Sequence, residues 1–161
     1  MDLELFTPLI PFAIGIILKI ILDFRLGPYV VQYLYWINVR SIFRMKVEEV
    51  SGNWVQIWHS RLSQSHVTDE QRTSKMTIRQ FGSHIYAEFR SNNDEEYYIF
   101  GELIGRSIVG KWRDKNNNLG YFGAFEMRII DNRLISGIWC GHSNVRPNEI
   151  YTDQWDWKKL D

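Results

Sequence analysis

From Val50 onward, apolar and aromatic positions fall into eight short segments, near 53–60, 75–81, 84–90, 96–104, 107–114, 119–130, 133–141 and 150–158. Within them hydrophobic and polar residues tend to alternate, the period of a half-buried strand, and none holds a 3.6-residue period over three turns. The breaks carry turn chemistry. Gly82-Ser83, Gly105-Arg106 and Asp131-Asn132 suit two-residue hairpin links, because such residues tolerate positive φ. Asn116-Asn117-Asn118 reads as a longer polar loop, and residues 61–74 form a polar connection. Eight strands in hairpin order predict an all-β, eight-stranded antiparallel up-and-down barrel, which closes on itself and leaves no free edge.

Each turn fixes which residues share a face. A two-residue link at Gly105-Arg106 pairs Ile104 with Ser107, Leu103 with Ile108, Gly101 with Gly110, Ile99 with Trp112 and Tyr97 with Asp114, a set read as inward-facing against Glu102, Lys111 and Arg113 outside. The link at Gly82-Ser83 puts Met76, Ile78, Gln80, Ile85, Ala87 and Phe89 inside, with Arg79, His84 and Glu88 outside. A link at Asp131-Asn132 groups Leu134, Ser136, Ile138 and Cys140 with Ile129, Met127, Phe125 and Tyr121, and leaves Trp139 outside with Arg128. In the last strand Tyr151, Asp153, Trp155 and Trp157 share a face. Gly-x-Trp recurs at Gly52-Trp54, Gly110-Trp112 and Gly137-Trp139. Two readings of that spacing stay open: barrel taper, in which small and large residues fill the inside, or a planar ligand lying on an indole beside a vacant patch.

The first forty-six residues follow another pattern. Residues 5–22 are an eighteen-residue apolar run broken by one charge, Lys19. That meets the lower range for a bilayer-spanning helix, with Lys19 snorkelling toward the headgroups. Residues 29–39 are apolar and aromatic but only eleven long, and their Tyr and Trp suit a membrane interface. The acidic start (Asp2, Glu4) and the lack of an A-x-A site argue against a cleaved signal peptide, leaving an anchor or a buried apolar hairpin. Arg40, Arg44 and Lys46 form a basic collar that would keep the following domain cytoplasmic. The chain thus divides into an anchor, 1–46, with one or two spans, and a barrel domain, 47–161.

The 161 residues carry 19 basic and 19 acidic side chains, which excludes a general nucleic-acid coat and gives no reason to expect DNA or RNA as a partner. Aromatics at 15% exclude a disordered chain. The single cysteine, Cys140, excludes an internal disulfide and a cysteine-clustered metal site. No nucleophile-elbow, P-loop or metalloprotease motif occurs, and His59, His66, His84 and His142 lack ligand spacing, so neither an enzyme nor a metal cofactor is expected. A ring-lined barrel instead suits a small ligand: aromatic side chains stack on bases, and arginines at strand ends (Arg90, Arg113, Arg146) offer charge-assisted bonds to phosphates. The candidate ligand-binding residues are Trp54, Tyr97, Trp112, Arg113, Tyr121, Arg146 and Trp155, and Lys19 is the candidate for membrane assembly.

A hydrophobic N-terminal hairpin followed by SGNWVQIW, GKW, GIWCG and YTDQWDWKK resembles the SMODS-associated two-transmembrane, β-strand-rich effectors of bacterial cyclic-oligonucleotide-based antiphage signalling (CBASS). The resemblance spans essentially the whole chain and rests on architecture and length. It implies an inner-membrane protein whose cytoplasmic barrel senses a cyclic dinucleotide made by a partner cyclic-oligonucleotide synthase. The ligand would then drive homo-oligomerisation, membrane disruption and death of the infected cell. The second apolar run is shorter than that family's name requires. Two other classes remain open: a tethered lipocalin-like carrier of a hydrophobic molecule, and an adaptor using Trp139 as a surface.

Overall fold

Alternating side chains need a second surface to bury one face against, and here the sheet supplies it by curling onto itself. In the computed structural model, which describes residues 11, 14–16, 26–37, 47–59, 68, 70–91, 94–116, 120–142 and 148–160, eight strands close into an antiparallel barrel in sequence order. They are β1 (Gly52–Trp58), β2 (Thr73–Phe81), β3 (His84–Arg90), β4 (Glu96–Ile104), β5 (Ser107–Asp114), β6 (Phe122–Ile129), β7 (Leu134–His142) and β8 (Ile150–Lys159). β8 closes the barrel on β1 through pairs such as Gln56 with Trp157.

Two hairpins have the register their turns predict. β4 and β5 pair Leu103 with Ile108, Ile99 with Trp112 and Tyr97 with Asp114, and β2 and β3 pair Gln80 with Ile85. Gly82 and Gly105 take φ of 60° and 63°, the left-handed backbone those links require. Ile104 is a correction. As neighbour to inward-facing Leu103 it must point the other way, and it is 61% exposed.

The β6–β7 hairpin corrects the sequence reading more deeply. The carboxylate of Asp131 accepts hydrogen bonds from the backbone N–H groups of Arg133 and Leu134, which widens the link by one residue. Ile129 therefore faces Ile135 rather than Leu134. A one-residue slip turns every side chain of the strand over. Ile135, Gly137, Trp139 and Gly141 thus face inward opposite Ile129, Met127, Phe125 and Gly123, while Leu134, Ser136, Ile138 and Cys140 take the outer side. Trp139 packs against the core, and all three Gly-x-Trp pairs face the interior.

The barrel is filled. Trp54, Ile78, Ile85, Ile99, Ile108, Met127, Ile135 and Trp157 are buried to within about 1% of completely. Beside Gly110 and Gly141 the space is occupied by rings of the chain itself, and beside Gly137 by the backbone of Glu126 and Met127. A methyl group on Gly110 would lie 2.6 Å from Phe125 Cζ, and one on Gly141 would lie 2.5 Å from Trp112 Cζ2. That geometry is taper, small beside large.

One short helix, α1 (Gly27–Leu34), packs on the outside of the barrel against β2 and β3. Its Val31 is 1% exposed, and Gln32 donates to Glu88 across 3.2 Å. The helix explains why Ile85, Tyr86 and Ala87 are buried in succession on β3: Tyr86 points outward yet is covered. At eight residues α1 is far too short to span a bilayer. Among the described residues, no helix is long and apolar enough to do so. Lys19, most of the apolar run 5–22 and the basic collar Arg40, Arg44 and Lys46 lie outside the described residues.

Candidate functional site

The two ends of the barrel are built differently. At one end the connections are tight: two residues after β2, two after β4 and four after β6. The same end is plugged by the chain entering β1. Val50 is 2% exposed, its N–H donating to the buried side chain of Gln80 across 2.9 Å. Gln80 in turn donates to the carbonyls of Glu48 and Gly82 at 3.0 and 3.1 Å. Beneath the plug the Trp54 indole donates to the carbonyl of Val50 (2.9 Å), and its ring carries the Lys159 ammonium 5.5 Å from its centroid.

At the other end the connections run to fourteen, five, seven and seven residues, after β1, β3, β5 and β7. Three half-buried indoles meet there. Trp139 stands edge-to-face between Trp58 and Trp112, with both centroid separations 6.0 Å. Backbone carbonyls fix the central ring and one of its flanks: Trp139 donates to His59 (2.9 Å) and Trp112 to Cys140 (3.0 Å). Trp112 continues edge-on into Tyr97, which stacks on Phe89 at 5.6 Å and 23°. Trp112 and Trp139 are thus held in place by the backbone, and rings fixed in advance lower the ordering cost of binding.

The polar rim is paired as well. Tyr97 donates its hydroxyl to Glu95 (2.7 Å), and burial first, then that carboxylate, push its ionisation well above the usual tyrosine range. Arg90 bonds Glu96. Lys115 reaches Glu88 across 2.9 Å. Burial alone would raise the Glu88 carboxyl, but the hydrogen bonds from Tyr86 and Lys115 outweigh it and hold it below the ordinary range. Beside β1 on the outer wall, Asp156 behaves likewise: hydrogen bonds from Ser136, Gln154 and His59 overcome burial and keep it ionised to lower pH.

The sequence-predicted residues divide between these regions. Tyr97 and Trp112 stand at the mouth, and Tyr121, 37% exposed, lies just before β6, where its carbonyl accepts from Asp114 N–H. Trp54 sits at the plugged end, away from the mouth. Trp155 is in mid-barrel, 3% exposed, its indole donating to Gln56 (2.5 Å). Arg113 is on the outer face of β5, half-buried, and Arg146 lies outside the described residues. The mouth residues that sequence reasoning missed are Trp58 and Trp139. The Gly137-Trp139 spacing pointed to the second, once the register is right. Among the described residues no group of His, Cys, Asp and Glu is arranged to hold a metal. Comparison of the chain with models of protein families, with curated proteins and with solved structures finds no match.

Proposed function

We propose that the chain is a membrane-anchored effector whose barrel senses a cyclic dinucleotide at its mouth, without enzymatic activity and without a cofactor. The observation that carries this reading is the triad of half-buried indoles, Trp58, Trp112 and Trp139, the last two held by backbone carbonyls, at the end where all four long connections gather. Stacking on such rings is worth ~1–3 kcal/mol per base and needs no particular base edge. Two bases joined through phosphates match two or three rings with cations at the rim. Arg90 and Lys115 supply that charge, at the cost of giving up Glu96 and Glu88, so binding exchanges one anion for another.

The tethered-carrier reading needs a hollow, and the space beside Gly110 and Gly141 is taken by rings of the chain, that beside Gly137 by the neighbouring strand's backbone. The adaptor reading needs an outward Trp139, and that ring faces in.

Signalling requires the ligand to favour one assembly state over another. Barrels held on the inner membrane by residues 1–46 meet at raised effective concentration, so a modest preference suffices to drive homo-oligomerisation. The membrane disruption that would follow places Lys19, an intramembrane charge in this reading, among the residues that matter for killing.

The test is thermal shift and calorimetry of the purified full chain against a panel of cyclic dinucleotides. Saturable binding that is lost in Trp58→Ala, with circular dichroism unchanged, supports the reading. Absence of binding by every member of the panel overturns it. In cells, Lys19→Leu is expected to keep ligand binding and lose toxicity.

A further inference from the structure

We infer that the outward face of α1 is a lipid-interface surface, which lays the barrel on its side against an anionic leaflet with the β2–β3 wall toward the membrane. The inference rests on the anchored reading above and adds an orientation to it. α1 spends Val31 and Gln32 on the barrel, and what remains is a stripe of rings. Tyr29 and Tyr33 follow at i and i+4 on one helical face, Trp36 lies two residues past the end of the helix, and the three are 57%, 64% and 71% exposed. Aromatic rings with polar tips are the side chains favoured at headgroup depth. The Trp36 N–H already donates to the carbonyl of Tyr33 (2.9 Å), so the indole enters that layer without stranding a donor.

Chain length adds a second argument. Only residues 23–26 separate the apolar run from Gly27. At full extension that link reaches ~17 Å, so a membrane-embedded run holds α1 close to the layer where its stripe is at home.

Charge adds a third. Beside α1 the outer wall carries a groove of about 540 Å³ lined by Asn53, Lys75, Thr77, Arg79 and Glu88. Lys75 is exposed there, and Arg79 lies 5.5 Å from the centroid of the Tyr35 ring. One carboxylate, Glu88, lines the groove as well and accepts hydrogen bonds from Tyr86 and Gln32. In sequence, Arg40, Arg44 and Lys46 follow within twelve residues of Leu34. Cations beside an aromatic stripe fit an anionic phospholipid surface, and each basic group near such a surface adds attraction.

The test places a nitroxide on Tyr33→Cys, or on Ile138→Cys of the opposite wall, in full-length Cys140→Ser chain reconstituted with phosphatidylglycerol-containing vesicles. Paramagnetic-relaxation accessibility then reads depth. The expected result is headgroup depth at position 33, with oxygen collisions raised and a water-soluble nickel chelate excluded severalfold, and full aqueous exposure at position 138. Replacing phosphatidylglycerol by phosphatidylcholine is expected to shift position 33 toward water. Equal aqueous exposure of the two positions in a chain that co-sediments with the vesicles overturns the orientation alone. Lipid-independent spin–spin broadening at position 33 also overturns it, since a second copy then covers the stripe. Failure to co-sediment overturns the anchored reading and this inference together.

Discussion

The plugged end and the mouth use the same residue types to opposite ends. Trp54 and Trp139 each donate an indole N–H to a backbone carbonyl and each follow a glycine by two residues. Trp54 is 1% exposed beneath a chain segment locked down by Gln80, whereas Trp139 is half-buried among rings, with long connections around it. In the proposed sensor, the indole that stays half-buried is the one that binds. Trp54 lies at the end with the tight turns and the plug, and Trp139 at the end where the connections are long.

That contrast is open to attack by mutation. The largest effect is expected from Trp54→Ala, a fully buried ring whose loss costs ~3–5 kcal/mol, while Trp58→Ala at the mouth costs ~1–2 kcal/mol, since less area leaves water. Chemical denaturation of the two variants measures the gap, and equal losses would erase the distinction between the ends. Gln80→Ala is expected to cost roughly 2–3 kcal/mol, because it strips Val50 of an acceptor and two carbonyls of a donor inside the plug.

A finer comparison sits in mid-barrel. Trp155→Phe leaves Gln56 Oε1 without its donor and costs ~1–3 kcal/mol. The Trp157 N–H is buried and finds no partner among the described residues, so Trp157→Phe is expected to cost clearly less. Matched denaturation curves decide this pair too, and a costlier Trp157→Phe would mean that its N–H is satisfied after all.

The smallest effect is acid sensitivity. Glu88 and Asp156 titrate below their usual values in the folded chain, so each adds stability at neutral pH that is lost as pH falls through the folded value, below about pH 4. Glu88→Gln is expected to flatten the fall of melting temperature below pH 4 and leave a residual slope from Asp156. An unchanged slope would show that the Tyr86 and Lys115 contacts do not bias its proton.

Much of the barrel was legible because two-residue turns transmit register along whole hairpins. Gly105-Arg106 alone fixed the pairing from Ile104–Ser107 out to Tyr97–Asp114. The same logic failed at Asp131, whose side chain bonds backbone N–H groups two and three residues on; a dipeptide that looks like a turn does not reveal that its carboxylate has widened it. Trp139 was lost to the wrong face for that reason. Trp54 and Trp155 both face inward, but alternation groups residues by face and gives no depth along the barrel axis. The docking of α1 was hidden for a third reason. An eight-residue segment rich in Tyr and Val reads as interfacial, and only the unbroken burial of Ile85, Tyr86 and Ala87 betrays a partner on the outer wall.

The account turns on which end of the barrel meets the ligand, and hydrogen–deuterium exchange of the full chain with and without a cyclic dinucleotide reads that directly. Protection is predicted in the connections 59–72, 91–95, 115–121 and 143–149, with the turns at 82–83, 105–106 and 130–133 unchanged. Protection confined to those turns, or none at saturating ligand, would contradict it.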